Sequence, residues 1–459
     1  MPVKARCYLA LLSLLLLCPA GTASAQTAAP EHPGQVWQVG AKRWNDAAEQ
    51  RFAAWVEQTI TEDFFLRYRI PVDCADVPYA IRWIYARIAH LPAAATLGDG
   101  RLLGHWSIDW GQLPTHREWH QDERFRAALS RMLAATSTRT LPADTYPIRI
   151  TPDSLRPGAL FFVTASHAAM IGRIVYDGST AHPIQLWEAT VPRKLRKISE
   201  RDFFATSPDP DTGSGLARFR WPVFSHDRWQ YLPAAEHPDY AMEQYLPGFC
   251  RDDEPFDEAV ARRIDPTPRA TQDRAEKLIQ TLRRHLEDRV PIVLEGYKRC
   301  RDGGCPEGSF LWEVYSTPGR DTRITLLVQH LERLVESGQL NQEALHSQME
   351  EIVIPIAEGM TVSLAAVVAN HRWLSHAPGD SVEARWGLAV CPMIHARMES
   401  RLKALEFVEK RYRSTDPEYA AYGYSLHLDD LQWLMEEGKR AECHDLPLLP
   451  STEKMPSER

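Results

Sequence analysis

The stretch that decides the fold runs from residue 73 to residue 89 and reads DCADVPYAIRWIYARIA. Its apolar side chains recur at helical spacing, at Val77, Ile81, Ile84, Tyr85 and Ile88. This spacing predicts an amphipathic helix. A proline fits only within the first turn of a helix, so Pro78 places the helix start at or just after Cys74.

A thiol at this position is expected to be reactive. Unpaired backbone N–H groups and the helix dipole favour an anion at the N-terminal edge of a helix. We therefore expect a lowered pKa for Cys74 and a larger thiolate fraction, as a nucleophile needs. A partner base must come from elsewhere in the chain, and neutral histidine is the usual choice near pH 7.

Strand patterns follow downstream, over residues 160–164, 168–176 and 184–191, with Asp177-Gly178 as a turn. His167 opens the second of these strands and is the candidate base. A polar side chain on the next strand can orient its imidazole, as in a catalytic triad. Glu188 is the first candidate for that role and Gln185 is the second.

The order of these motifs resembles the NlpC-type cell-wall cysteine peptidases, a branch of the papain-like fold. The family's Asp-Cys-Ser-Gly motif is matched by residues 73–76, with Ala75-Asp76 in place of Ser-Gly. Its Pro-Gly-Asp-Leu-x-Phe-Phe strand is similar to residues 157–162, and its His-Val-Gly-Ile strand to residues 167–171. The family's third polar residue precedes an alanine, as Glu188 does here. The resemblance covers residues 60–200.

The resemblance implies an α+β, papain-like domain with a nucleophile helix and an antiparallel sheet, over residues 36–206. A Pro- and Asp-rich linking region (207–265) and a mainly helical domain of unassigned role (266–445) are predicted to follow. The implied activity is hydrolysis of amide bonds in peptidoglycan stem peptides by Cys74, His167 and Glu188, without a cofactor or a metal. A thiol acyltransferase, a lipid or ester hydrolase and a catalytically inactive envelope binding or scaffold protein are the alternatives, because one fold serves many functions.

An aromatic, histidine-rich stretch lies between the two motifs, over residues 105–120. Trp106, Asp109 and Trp110 are candidates for a substrate-binding wall, because aromatic faces stack on sugars and peptides. The alternative is a loop that its tryptophans attach to the core.

The N-terminus predicts export. Lys4 and Arg6 precede an apolar run, and Ala23-Ser24-Ala25 completes a secretory signal peptide over residues 1–25. The expected location is the periplasm or cell envelope of a bacterium. No later run approaches eighteen apolar residues, so stable membrane insertion is not expected. With a formal net charge of −8, the chain has no basic excess for a nucleic-acid partner.

Six of the eight cysteines follow the predicted signal peptide. A local disulfide between Cys300 and Cys305 is expected across a tight glycine-containing loop. Cys250, Cys391 and Cys443 can supply one further bridge, and full pairing that includes Cys74 is the alternative. If Cys74 is free in a monomer, at least one other thiol must also be unpaired.

Overall fold

A computed structural model of the chain describes residues 30–251, 254–265 and 270–450. The predicted signal peptide lies outside the described residues. Within these ranges, no helix is long and apolar enough to cross a membrane.

The first part of the chain opens with helices. These are α1 (Asp46–Thr59), α2 (Phe64–Arg67) and α3 (Asp76–Ala89), then the short strands β1 (Ala94–Thr96) and β2 (Leu102–Gly104), and then α4 (Glu123–Ala135) and α5 (Leu141–Asp144). The helix predicted after Cys74 is confirmed as α3. Residues 44–65, whose apolar side chains recur at helical spacing, form two helices rather than one, because the backbone becomes extended at Ile60.

A six-stranded antiparallel sheet follows. Its strands are β3 (Thr145–Pro147), β4 (Leu160–Val163), β5 (His167–Ile174), β6 (Ile184–Glu188), β7 (Ser199–Asp202) and β8 (Gly215–Phe219), in the spatial order β3-β8-β4-β5-β6-β7. The three predicted strands are confirmed as β4, β5 and β6. A mixed α/β architecture with a helical C-terminal part is therefore observed.

The two faces of the sheet bury different layers, as the two-residue period of a strand requires. Along β5, Ala168 and Met170 join the core that contains α1, α3 and α4. Their neighbours Ala169 and Ile171 join the core on the opposite face, which contains α6 (Phe256–Ile264). Because α3 packs against β5, the segment that carries Cys74 lies beside the start of that strand.

Residues 207–265 do more than link. They supply β8, which pairs with both β3 and β4 inside the sheet, and α6, which covers one face. They also form a hairpin of β9 (Pro222–Ser225) and β10 (Arg228–Tyr231). The expectation of a linking region was wrong, because a short strand buried at every residue has no alternating pattern to reveal it.

The residues of the helical part that the structure describes form two apolar cores. Its helices are α7 (Thr271–Cys300), α8 (Phe310–Tyr315), α9 (Pro318–Glu336), α10 (Gln342–Glu350), α11 (Leu364–Asn370), α12 (Val382–Arg385), α13 (Val390–Tyr412) and α14 (Pro417–Arg440), and it includes a hairpin of β11 (Val353–Ala357) and β12 (Met360–Ser363). The predicted helical character is confirmed, apart from that hairpin.

Polar contacts attach the helical part to the edge of the sheet at β7. Thr281 of α7 donates to Asp202 of β7 at 3.0 Å. Farther along, His330 of α9 lies between two carboxylates of α6, at 2.7 Å from Asp257 and 2.6 Å from Glu258. The edge strand is therefore covered, and α7 and α9 lie close to the end of β6.

Candidate active site

Reciprocal capping bonds hold the segment around Cys74. Asp73 Oδ1 accepts from the N–H groups of Ala75 and Asp76, at 3.1 and 3.2 Å. Asp76 Oδ2 in turn accepts from the N–H of Asp73 at 2.9 Å. This is the geometry of a capping box, in which residues three apart satisfy each other's backbone donors. It gives Asp76 a structural reason to stand where the resembling family has glycine.

The Cys74 side chain is free and buried, with only 5% of the residue exposed. Burial, with the neighbouring Asp73 carboxylate, raises the pKa of the Cys74 thiol to about 12. The N–H groups of Ala168 and Ala75 act in the opposite direction but do not outweigh these effects. The lowered pKa expected from the helix start was therefore wrong, because burial penalises a thiolate more than the helix end favours it.

His167 and Glu188 meet across neighbouring strands. His167 begins β5 and Glu188 ends β6, and their side chains approach to 3.0 Å between Nε2 and Oε2. The histidine side chain is 27% exposed, whereas the glutamate is 5% exposed. The structure thus brings together two of the three residues that the sequence predicted as a catalytic set.

The charge of Glu188 determines which nitrogen of His167 is available. Burial opposes ionisation of Glu188, but Arg323 and His167 outweigh it and hold its pKa well below the ordinary range. An ionised carboxylate only accepts hydrogen bonds, so the Nε2 of His167 must carry the proton. In the neutral imidazole, Nδ1 is then the free base. Among the described hydrogen bonds, none joins this ring to the Cys74 thiol.

Gln185, the second candidate for the orienting residue, lies elsewhere. Its side-chain amide donates to Asp202 at 2.9 Å and to the carbonyl of His182 at 2.7 Å. Only Glu188 of the two candidates reaches His167.

Arginines surround this pair, and sequence reasoning missed them. Arg323 of α9 donates two hydrogen bonds of 2.6 Å to the two oxygens of Glu188. Arg201 of β7 lies 3.8 Å from the same carboxylate. In the sequence, Arg323 is only a polar residue within a helical pattern. Its contact with Glu188 could not be predicted, because 135 residues separate the two along the chain.

A backbone bridge brings further positive charge toward Cys74. Val72 and Lys194 pair as an isolated antiparallel bridge, with N···O distances of 3.0 and 3.3 Å. This bridge places the loop of residues 190–198 beside the helix start. In that loop, Arg193 approaches Asp76 to 3.7 Å. The basic residues at positions 193, 194, 196 and 197 therefore partly border the candidate site.

The aromatic stretch lies at the other end of α3. Trp106 stacks on Trp229 with ring centroids 5.0 Å apart, and the neighbouring His105 contacts the backbone of Ala93, beyond the helix C-terminus. Trp106, Asp109 and Trp110 line an open groove of about 500 Å³. No hydrogen bond, ion pair or ring contact among the described residues joins this groove to Cys74 or His167, so its substrate-binding role stays a prediction.

Four of the other cysteines in the described ranges pair in two bridges. Cys300 bonds to Cys305 and Cys391 bonds to Cys443, whereas Cys250 is free. The expected local disulfide and the one further bridge are confirmed. Cys74 thus keeps its thiol, as a nucleophile requires.

Comparison with known proteins gives no relative: the chain matches no family model, no curated protein and no solved structure.

Proposed function

We propose that this protein is an exported cysteine hydrolase that cleaves amide bonds in peptidoglycan stem peptides. The observation that carries the proposal is the 3.0 Å contact between His167 and Glu188, beside a helix start that bears a free thiol. The choice of substrate depends on the sequence resemblance to the NlpC-type peptidases.

In the proposed reaction, His167 Nδ1 accepts the proton of the Cys74 thiol as the sulfur attacks the amide carbonyl. Glu188 keeps the imidazole in the required tautomer and stabilises its positive charge, which is the role of the third member of a triad. General-base assistance of this kind suits a thiol whose resting pKa is high, because no thiolate has to form in advance.

The helix start suits the oxyanion that forms next. Asp73 occupies the N–H groups of Ala75 and Asp76, and these two bonds leave the N–H of Cys74 available. A backbone donor at a helix N-terminus stabilises developing negative charge. The amine then leaves with the proton held by His167, and water hydrolyses the thioester to release the acid and regenerate the thiol.

A second candidate, a non-catalytic envelope binding protein, is favoured by a specific observation. The thiol is buried, its pKa is raised to about 12, and no hydrogen bond joins it to the His167 ring. A protein that had lost catalysis would retain the fold and the His167–Glu188 pair without a reactive sulfur.

Incubation with purified cell wall separates the two candidates. The wild-type protein is expected to release soluble peptide fragments with new amino and carboxyl termini, measured by mass spectrometry. Cys74→Ser and His167→Gln are expected to reduce release to the background level, whereas Cys250→Ser, which removes the other free thiol, should leave it unchanged. If the wild-type protein releases no fragments, the result would support the non-catalytic binding protein. If it hydrolyses acyl esters without cleaving cell wall, its substrates would be esters rather than peptides.

A further inference from the structure

Two arginines near Cys74 lack an acidic partner. Arg196, in the loop that pairs with the Cys74 segment, donates to Thr190 at 2.9 Å and to the carbonyl of Pro192. Its Nε is buried and has no hydrogen-bond partner. The side chain of Arg320, in the first turn of α9, makes no hydrogen bond or ion pair within the described ranges of the chain.

The backbone places these two guanidinium groups on the same side of the site. The Val72–Lys194 bridge is antiparallel, so Pro192 lies opposite Cys74, and the Arg196 side chain reaches back to the Pro192 carbonyl. Arg320 precedes Arg323 by three residues, so both side chains lie on one face of α9, and Arg323 reaches Glu188. The Arg320 guanidinium lowers the pKa of Arg196 and the Asp73 carboxylate raises it, and the Glu188 carboxylate raises the pKa of Arg320, so these groups lie within electrostatic range of one another.

Arg320 also stands at an unfavourable position in its helix. A cation in the first turn is repelled by the positive end of the helix dipole. Burial together with neighbouring arginines lowers the pKa of Arg320 and of Arg196. The Glu188 carboxylate offsets only part of these effects, because the pKa of Arg320 stays lowered. Positions that break a local rule are expected at functional sites.

We propose that Arg196 and Arg320 form a receptor for a carboxylate of the substrate, next to the acyl group that Cys74 attacks. Guanidinium groups bind carboxylates by paired, charge-assisted hydrogen bonds, and the half-buried setting strengthens such bonds. The helical part of the chain thus completes the site, with one arginine from each part of the protein. This inference rests on the proposed function and deepens it, because it assigns the substrate a carboxylate close to the scissile bond.

Alkylation of Cys74 by iodoacetate and by iodoacetamide tests the receptor. The two reagents differ in the carboxylate, so the ratio of their rates at Cys74 is independent of the thiolate fraction. The full-length protein is treated at constant ionic strength, and labelling is measured by mass spectrometry of the peptide that contains Cys74. We expect the iodoacetate rate to saturate with concentration, and the ratio to exceed that of a neutral model thiol by about tenfold.

Arginine variants and competing ligands show which residues cause the preference for iodoacetate. Arg320→Gln and Arg196→Gln are each expected to lower the ratio about tenfold, whereas Arg283→Gln, which removes an exposed arginine of α7, should leave it unchanged. N-acetylglycine should protect Cys74 from iodoacetate, whereas the neutral N-acetylglycinamide should not. A ratio equal to that of the model thiol and insensitive to both variants would overturn the receptor. Better protection by inorganic phosphate than by N-acetylglycine would overturn the assignment to a carboxylate.

The outcome also separates this inference from the proposed function. If Cys74 reacts with neither reagent, the proposed hydrolase is contradicted, and the receptor is then tested by calorimetric titration with N-acetylglycine. Binding that is lost in Arg320→Gln would support the receptor, and absence of binding to the wild-type protein would overturn it. Thermal unfolding of each variant shows whether it is folded.

Discussion

Replacement of Arg323 by glutamine is expected to destabilise the protein and to loosen the candidate site. Arg323 is the main counter-charge of Glu188, with two bonds of 2.6 Å to a carboxylate that is 5% exposed. Removal of one partner of a buried ion pair costs about 3–5 kcal/mol. His167 and Arg201 still lie near Glu188 in the variant, so we expect the free energy of unfolding to fall by about 2–3 kcal/mol.

Urea unfolding at pH 7, followed by tryptophan fluorescence, measures this loss. A double-mutant cycle with Glu188→Gln should give a coupling energy of about 2 kcal/mol. Because the pKa of Glu188 lies well below the ordinary range, the coupling should persist at neutral pH and disappear only as the pH falls below about 4.3. Arg283→Gln is the control and should change stability by less than about 0.5 kcal/mol.

Two results would refute this reasoning. An unfolding free energy of Arg323→Gln within about 0.5 kcal/mol of wild type would show that the pair contributes nothing measurable. A coupling energy near zero would show that Arg323 acts on stability through contacts other than Glu188.

Three further predictions concern stability and the thiol. His330→Gln should flatten the pH dependence of the urea midpoint above about pH 6.5, because the carboxylates of α6 raise the pKa of His330 against the effect of burial. The stabilisation is present below about pH 6.5 and is lost as the pH rises through the raised pKa, so an unchanged slope in the variant would contradict this prediction. Asp73→Asn keeps a capping oxygen but removes a negative charge, so the pKa of Cys74 should fall below about 12. The pH profile of Cys74 alkylation measures this shift, and a profile unchanged from wild type would contradict the prediction. The Cys391–Cys443 disulfide closes a loop with a sequence separation of 52. The Cys391→Ala/Cys443→Ala protein should therefore lose about 4 kcal/mol of unfolding free energy, and a loss below about 1 kcal/mol would contradict the prediction.

Local patterns in the sequence predicted the parts of the fold that depend on neighbours along the chain. The spacing of apolar residues and Pro78 placed the start of α3, and three short apolar runs placed β4, β5 and β6. The same patterns said nothing of β8, because its position between β3 and β4 depends on pairing with strands far away in the chain. Spatial order in a sheet is a long-range property that periodicity does not encode.

The candidate site, too, could be predicted from the sequence only in part. Residue order and strand context predicted that Glu188 rather than Gln185 was the better partner for His167. The arginines of α9 escaped notice because a charged residue on a helix is usually solvated surface. The thiol pKa was misjudged for a related reason: a helix start is visible in the sequence, whereas the depth at which it is buried is not.

The dependence of Cys74 on His167 is the most direct test of the proposed hydrolase. Alkylation of Cys74 by iodoacetamide is measured from pH 6 to pH 10 in wild type and in His167→Gln, with Cys250 in the same samples as the internal control. General-base assistance predicts that the wild-type rate at pH 7.5 exceeds that of the variant by about 100-fold, and that the difference narrows toward pH 10 as the thiol ionises without help. Equal rates at Cys74 in the two proteins at pH 7.5 would contradict the account.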